Sequence, residues 1–366
     1  MNRKIIYLLT GGTGGHVIPT VSFGNYLVSM GFQCILITDK RGEKYTKNFL
    51  GKTKTINASH LSGGHLFNFF GLLKLLIGFF QSFLILLLNR PHFVVSFGSY
   101  ASLPPSFSIK ILKFFFNINF YIHEQNSIIG RANKFFFKTA NIIFVNFNKN
   151  YDINHEYMHK IKVVGLPRIN ELNKKTNNLK IFDRNNKKFT IFLYGGSQGS
   201  IPLIKCFESL ITRFNKAELD NISFIIQCPN FYLDELNKKM KNYKLDLITK
   251  DFFYNLSDIL QNTDLVISRC GAGTISDIMF YKIPSILVPL SSAKDNHQYE
   301  NANFLYKKKC AILLNQNNFD TLEAYNYFKK IFVDNNIRNE IKHKLGEETI
   351  VDTNKIILDL IKNEIK

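Results

Sequence analysis

Two parallel-sheet α/β domains in one chain are what three features of this sequence predict. An apolar run, Ile5-Ile6-Tyr7-Leu8-Leu9, leads into Thr10-Gly11-Gly12-Thr13-Gly14-Gly15-His16 and then into a helical pattern over residues 17–30. The same order of strand, glycine loop and helix restarts at residues 189–194, 195–200 and 201–214. With 366 residues and 45% hydrophobic composition, the chain is long for one core and apolar enough for two.

Each element follows from local chemistry. Glycines in the first loop permit positive φ and a close backbone approach, and the N–H groups opening the next helix attract an anion. The spacing is not the G-x-G-x-x-G fingerprint, and no Gly-Lys-Ser/Thr follows as in a Walker loop. A phosphate or diphosphate is the expected guest; the alternative is a tight turn in which His16 only caps the helix. Further strands are expected at residues 33–39, 93–97, 118–122 and 142–145, alternating with helices. That alternation predicts a parallel sheet covered on both faces, a Rossmann-like domain over residues 1–165.

Residues 166–188, rich in Asn and Lys, read as a linker with a surface loop. A second Rossmann-like domain is expected over residues 189–350, with strands at 189–194, 222–227, 245–249, 265–268 and 285–288. Pro202 suits a first helical turn, where its missing N–H is not needed. The tail, residues 351–366, reads as a helix packing back onto the first domain. The expected architecture is two such domains facing each other across a cleft.

Composition narrows the function classes. Lys plus Arg number 47 against 28 acids, a formal charge of +19. Such a charge suits nucleic acid, anionic lipid or phosphorylated substrates, or reflects a compositional bias toward Lys and Asn. No Arg-rich segment or RNA-binding aromatic motif accompanies it, so nucleic acid is not expected as a partner. Cys34, Cys206, Cys228, Cys270 and Cys310 are far apart and read as reduced core residues of a cytosolic protein. No His, Cys and carboxylate cluster has metal-ligand spacing. Asn2-Arg3-Lys4 before an apolar run imitates a signal peptide, but the run is short and ends in glycines.

Residues 66–88, LFNFFGLLKLLIGFFQSFLILLL, carry Lys74 as their single charge. Three readings stand: a transmembrane span, a wholly buried crossover helix, or a helix resting on a membrane surface with Phe67, Phe69, Phe70 and Leu73 in lipid and Lys74 near head groups.

Four more stretches stand where α/β folds place ligands, at the carboxyl ends of strands. They are Gly98-Ser99-Tyr100, His123-Glu124-Gln125-Asn126, Arg269-Cys270-Gly271-Ala272-Gly273-Thr274-Ile275-Ser276-Asp277, and Lys294-Asp295-Asn296-His297-Gln298. The loop at 271–274 offers backbone N–H groups to a diphosphate, and Asp277 a carboxylate to ribose hydroxyls. Gln298 and Asn126 both donate and accept, which suits sugar hydroxyls. His16 and Glu124 are the two candidate general bases, with helix capping and a structural hydrogen bond as their respective alternatives.

Taken in order, residues 11–16, 123–126, 195–199, 271–276 and 295–298 resemble the motifs of the MurG family, GT-B glycosyltransferases of family 28. The resemblance covers nearly the whole chain. It implies inverting transfer of N-acetylglucosamine from UDP-N-acetylglucosamine (UDP-GlcNAc) to the 4-hydroxyl of the muramoyl sugar of lipid I, the diphosphoundecaprenol-linked muramoyl pentapeptide, giving lipid II. No metal or cofactor is required in that family. Implied donor contacts are Ser197, Ala272, Gly273, Thr274, Ile275 and Ser276 at the diphosphate, Phe253 at the uracil edge, Asp277 at ribose and Gln298 at the sugar. Thr13, Gly14, Gly15 and Asn126 would close over the donor from the first domain. The acceptor's diphosphate would lie at Gly14, Gly15, Gly98 and Ser99. The implied setting is peripheral, on the cytoplasmic face of the bacterial inner membrane, against an anionic surface and in contact with other envelope-synthesis enzymes.

The chain departs from the family pattern in three places. Asp277 stands where glutamate is usual. Gly98-Ser99-Tyr100 replaces Gly-Gly-Tyr, restricting the backbone. Gly165-Leu166-Pro167-Arg168-Ile169 replaces Gly-Asn-Pro-Val-Arg, so that the expected arginine falls on Ile169 and Arg168 takes its place in the donor set. Rival readings are a GT-B enzyme with another acceptor, such as a glycolipid synthase or a UDP-GlcNAc epimerase, and a non-catalytic membrane-docked scaffold.

Overall fold

A computed structural model of the chain describes residues 4–59, 65–168, 188–196, 199–253, 256–291 and 296–365, with backbone alone at 65–68. The chain divides into two compact units, residues 1–169 with 350–366, and residues 170–349.

The first unit is built on strands β1 (Ile5–Leu9), β2 (Gln33–Thr38), β3 (Lys52–Thr55), β4 (Phe93–Ser96), β5 (Asn119–Glu124), β6 (Ile142–Val145) and β7 (Ile161–Val163). They form one parallel sheet in the order β3-β2-β1-β4-β5-β6-β7. Leu9 pairs with Ile37 on one side and Ser96 on the other, so β1, β2 and β4 end level. Successive strands are added to one side of β1 up to β3 and to its other side from β4 onward, which makes the carboxyl ends of β1 and β4 the topological switch point. The loops at 10–16 and 97–100 leave the sheet there.

Alternate residues of each strand bury on opposite faces. Ile6, Leu8, Val95 and Phe144 pack with Val17, Val21 and Leu27 of the Gly14–Ser29 helix. Tyr7, Leu9, Val94 and Ile143 pack with Ile109 and Leu112 of the Leu103–Leu112 helix. The Thr353–Ile365 helix contributes Ile357, Leu358 and Ile361 to the first of these cores, and Asn354 Nδ2 donates to Ser22 Oγ at 3.4 Å.

The apolar segment forms a helix, His65–Leu88. It leans on the Leu103–Leu112 helix through buried Ser82, whose Oγ lies 3.0 Å from Ser108 Oγ, and through Leu86. Gly78 passes so close to the Asn57 carbonyl that a Cβ would lie 1.9 Å from it. Phe69, Phe70, Leu72, Leu73, Leu76, Ile77, Phe80 and Leu84 are exposed. A wholly buried crossover helix is therefore not what forms. Phe69–Leu88 has the length and composition to cross a membrane, yet β1 before it and β4 after it are hydrogen-bonded neighbours. A span would tear that ladder apart, so the transmembrane reading also fails. The side chain of Phe67 lies outside the described residues.

The second unit carries β8 (Phe189–Tyr194), β9 (Ile222–Gln227), β10 (Asp246–Lys250), β11 (Leu265–Ser268), β12 (Ser285–Leu287) and β13 (Ala311–Leu313), parallel in the order β10-β9-β8-β11-β12-β13. The Ile201–Ile211 helix packs Leu203, Phe207 and Leu210 onto it at helical spacing, and Ser200 Oγ caps it by accepting from the Leu203 N–H. Pro202 occupies its first turn. All five cysteines are buried and free.

Three strands escape the apolar-run criterion. β3 is Lys-Thr-Lys-Thr at a sheet edge, β7 and β13 are three residues long at the other edges. An edge strand has one neighbour and needs no continuous apolar run.

Candidate active site

In the first unit the glycine loop is held from below by Asp39, which closes β2. Asp39 is buried; its Oδ1 accepts from the N–H groups of Gly12 at 2.7 Å and Gly42 at 3.1 Å, and its Oδ2 from Arg41 Nε at 2.7 Å. Gly11 has no room for a side chain, since a Cβ would lie 2.3 Å from that of Ala101. Gly12 turns the chain at φ +78°. Thr13 is the exposed N-cap of the Gly14–Ser29 helix, its side chain makes no capping bond, and no acid stands in the first turn. The positive end of the helix therefore opens without a side-chain cap or an acid in its first turn.

His16, half-buried in that first turn, has Nδ1 3.0 Å from the Phe97 carbonyl oxygen. A carbonyl only accepts, so Nδ1 carries the hydrogen and the neutral ring has its basic lone pair on Nε2. Phe97 O also accepts from the buried Gln125 Nε2 at 3.0 Å. Beyond Phe97, Gly98 at φ +78° and Ser99 at φ +79° continue the loop. The serine thus takes a glycine's conformation instead of forcing the loop into another. A Cβ on Gly12 would meet Ser99 Oγ at 3.0 Å, so the two loops touch.

His123 and Glu124 are the last residues of β5, inside the strand rather than beyond it. Glu124 is buried and both carboxylate oxygens are occupied. Oε1 accepts from Asn126 N and Nδ2 at 2.9 and 3.3 Å; Oε2 accepts from Gly130 N at 2.9 Å and Asn133 Nδ2 at 2.8 Å. Asn126 is thereby fixed at the loop's start, half-buried. Arg168 is half-buried at the end of the described first unit, its carbonyl accepting from Asn354 Nδ2 at 3.1 Å.

In the second unit, Gly195 lies so close to the returning chain that a Cβ would stand 2.6 Å from Ser200 N, and Gly196 and Gly199 have φ of +82° and +69°. Ser197 lies outside the described residues. Gly271 is the N-cap of the Ala272–Tyr281 helix, whose first turn holds no acid. Ala272, Thr274, Ile275 and Ser276 are buried and Gly273 and Asp277 half-buried, so the turn offers backbone before side chains. Burial, with the charge of Asp277 second, pushes the Tyr194 phenol up. Phe253 is buried with its ring edge-on to Phe192, centroids 5.8 Å apart.

Gln298 lies in the first turn of the His297–Lys307 helix, and its Oε1 accepts from the N–H groups of Cys270 at 3.3 Å and Leu290 at 3.0 Å. The acceptor side of the amide is used within the protein.

Both units match known proteins. Residues 6–145 match the glycosyltransferase family 28 N-terminal domain and residues 190–354 its C-terminal domain. The Rickettsia africae protein named UDP-N-acetylglucosamine–N-acetylmuramyl-(pentapeptide) pyrophosphoryl-undecaprenol N-acetylglucosamine transferase is 34% identical, with 86% of this chain and 88% of that one covered. Its namesake from Rickettsia canadensis is 32% identical over 99% of this chain and 100% of its own. The chain belongs to the MurG family. A crystal structure of Acinetobacter baumannii MurG superposes with a TM-score of 0.76 at 20% identity, covering 99% of both chains, so the two share the GT-B fold.

Within that MurG frame, the residues that sequence reasoning missed are braces. Asp39 was visible only as the polar end of an apolar run. Gln125 sat inside a quoted motif without a role. Asn133, which ties Glu124 to the chain beneath Gly98, and Asn301, which donates to the Cys270 carbonyl at 3.1 Å, had no local signal.

Proposed function

We propose that this chain transfers N-acetylglucosamine from UDP-GlcNAc to the 4-hydroxyl of the muramoyl sugar of lipid I, with inversion, forming lipid II. The full-length relatives that bear this activity in their names carry the reading of substrates. The observation that carries the chemistry is the His16 Nδ1 bond to the Phe97 carbonyl, which presents Nε2 as the base. As the acceptor oxygen attacks the anomeric carbon, its proton passes to His16 Nε2, and the bond to the β-phosphate oxygen breaks with its electrons retained by UDP. Glu124, with four donors on its carboxylate, holds the 125–130 loop and is a positioning residue.

Donor binding is assigned to the second unit: backbone of residues 272–276 with Ser197 at the diphosphate, Phe253 at uracil, Asp277 at ribose and Gln298 Nε2 at the sugar. Arg168, Asn126, Thr13, Gly14 and Gly15 complete it. Helix N-termini stabilise the negative charge that UDP gains. Gly14, Gly15, Gly98 and Ser99 take the acceptor diphosphate. The exposed Phe69, Phe70 and Leu73, with Phe67 and Lys74, rest on the anionic cytoplasmic surface of the inner membrane, where the acceptor's lipid stays.

The deciding experiment supplies purified protein with radiolabelled UDP-GlcNAc and a short-chain lipid I analogue. Label moving to the lipid is expected. A well-folded sample that transfers none would refute the assignment.

A further inference from the structure

The Phe97 carbonyl, on which the His16 ring is fixed, carries a second donor. Gln125 is 2% exposed, and its Nε2 donates to Phe97 O at 3.0 Å, the same distance at which His16 Nδ1 meets that oxygen. A carbonyl oxygen has two lone pairs and donates nothing, so both contacts are donated to it. Gln125 is itself anchored: its backbone carbonyl accepts from the buried Asn146 Nδ2 at 2.9 Å, and the Asn146 N–H donates to the Glu124 carbonyl at 3.1 Å. Residue 97 is anchored as well, by its N–H on the Leu9 carbonyl at 2.8 Å and by its ring stacked on His123.

The peptide between Phe97 and Gly98 is held less firmly. A peptide plane turns over when ψ of one residue and φ of the next change together by half a turn, and glycine is the residue that accepts both signs of φ. Gly98 stands at φ +78°, and on the far edge of the plane its N–H donates to Ser96 Oγ at 3.4 Å, a long bond. A flip would turn the Gly98 N–H to the side that the Phe97 carbonyl now faces. His16 Nδ1 would then meet a donor, so the neutral ring would carry its hydrogen on Nε2 and lose the lone pair there. Gln125 Nε2 would meet the same N–H, donor against donor.

We propose that Gln125 is a positioning residue for His16. By holding the 97–98 peptide with its carbonyl toward the ring, it keeps the hydrogen on Nδ1 and the lone pair on Nε2, the atom that takes the proton of the acceptor hydroxyl. A glutamine suits the task because its amide donates at any pH, whereas a buried carboxyl would donate only while protonated. The inference rests on His16 as the base of the proposed transfer.

The test is nitrogen NMR of the histidine rings in the full-length protein, wild type and Gln125→Met, at a pH where His16 is neutral, with the His16 signals identified by their loss in His16→Ala. Thermal unfolding is the folding control, and kcat and KM for UDP-GlcNAc are measured beside it. Methionine keeps the length of the side chain and removes the donor. Wild-type His16 is expected with its hydrogen on Nδ1. Gln125→Met should show part of its His16 with the hydrogen on Nε2, and kcat lower on the order of tenfold, the weight of one buried hydrogen bond, with KM for UDP-GlcNAc little changed. A merely structural brace would lower the melting temperature and leave tautomer and kcat as in wild type, and that result would overturn the inference. So would wild-type protein with the His16 hydrogen on Nε2. A shifted tautomer with wild-type kcat would uphold the hold of Gln125 on the ring and remove His16 as the base, so the two failures are distinguishable. Should Gln125→Met not fold, Gln125→Asn, one methylene too short to reach the carbonyl, is read by the same criteria.

Discussion

At the scale of single residues, the two carboxyl-end candidates for the base separate by what their polar atoms already do. His16→Ala removes the Nε2 lone pair and should lower kcat by about 10²- to 10⁴-fold, with UDP affinity unchanged in a binding titration. Glu124→Gln sets an NH₂ group against backbone and side-chain donors, so it should cost about 1–3 kcal/mol of stability. Chemical denaturation would read that loss; a full loss of kcat in Glu124→Gln at wild-type stability would reassign the base. Ser99 offers a third test. At φ +79° and ψ 157° a serine is strained, and Ser99→Gly should raise stability by about 1 kcal/mol while Ser99→Ala should not. Which residues were legible follows the same division. His16 and its glycines announce themselves because an anion cradle needs contiguous residues. The Glu124 bracing depends on Gly130 and Asn133 folding back, which no local spacing encodes.

Among elements, the parallel strands were legible wherever both faces are buried, as in Phe93-Val94-Val95-Ser96, and illegible at edges such as Lys-Thr-Lys-Thr of β3. The His65–Leu88 helix shows the limit of composition: length and apolarity fit a span, a core or a surface equally, and only the pairing of β1 with β4 decides against the span. Its open face, Phe69, Phe70, Leu73 and Phe80, lies over half exposed at the two leading phenylalanines, 62% and 55%. Because Ser82 and Leu86 rather than these residues hold the helix to its neighbour, replacing Phe69 and Phe70 with serine should leave unfolding unchanged. Binding to anionic vesicles should weaken about tenfold or more, since each buried ring contributes roughly 1.5–3 kcal/mol. Thermal melting reads the first quantity and a flotation assay the second. Loss of the folded state would show that the face is structural.

For the molecule as a whole, stability against acid is expected to depend on a buried group, His123. His123 is fully buried, stacked on Phe97 with ring centroids 5.1 Å apart, and its Nε2 lies 2.9 Å from the carbonyl of Gly165, to which it donates. Gly165 itself needs φ +81° and brushes Thr353, whose hydroxyl would stand 2.8 Å from a Cβ, so one imidazole joins β4, β5 and the start of the Thr353–Ile365 helix within the first unit. Burial, opposed by the Gly165 bond and aided by the charge of His16, depresses its pKa to about 4. A histidine whose folded pKa is depressed binds fewer protons folded than unfolded between about 4 and the ordinary value of about 6.5. Its contribution is therefore complete above about pH 6.5 and is lost as pH falls toward 4, by on the order of 3 kcal/mol. Calorimetry of wild-type and His123→Gln protein across that window isolates it. Glutamine keeps a donor for Gly165 but does not titrate, so the variant should lose less stability on acidification, whatever its stability at neutral pH. Parallel pH profiles would mean that the acid limb belongs to other groups and that His123 takes up protons equally in the folded and unfolded states.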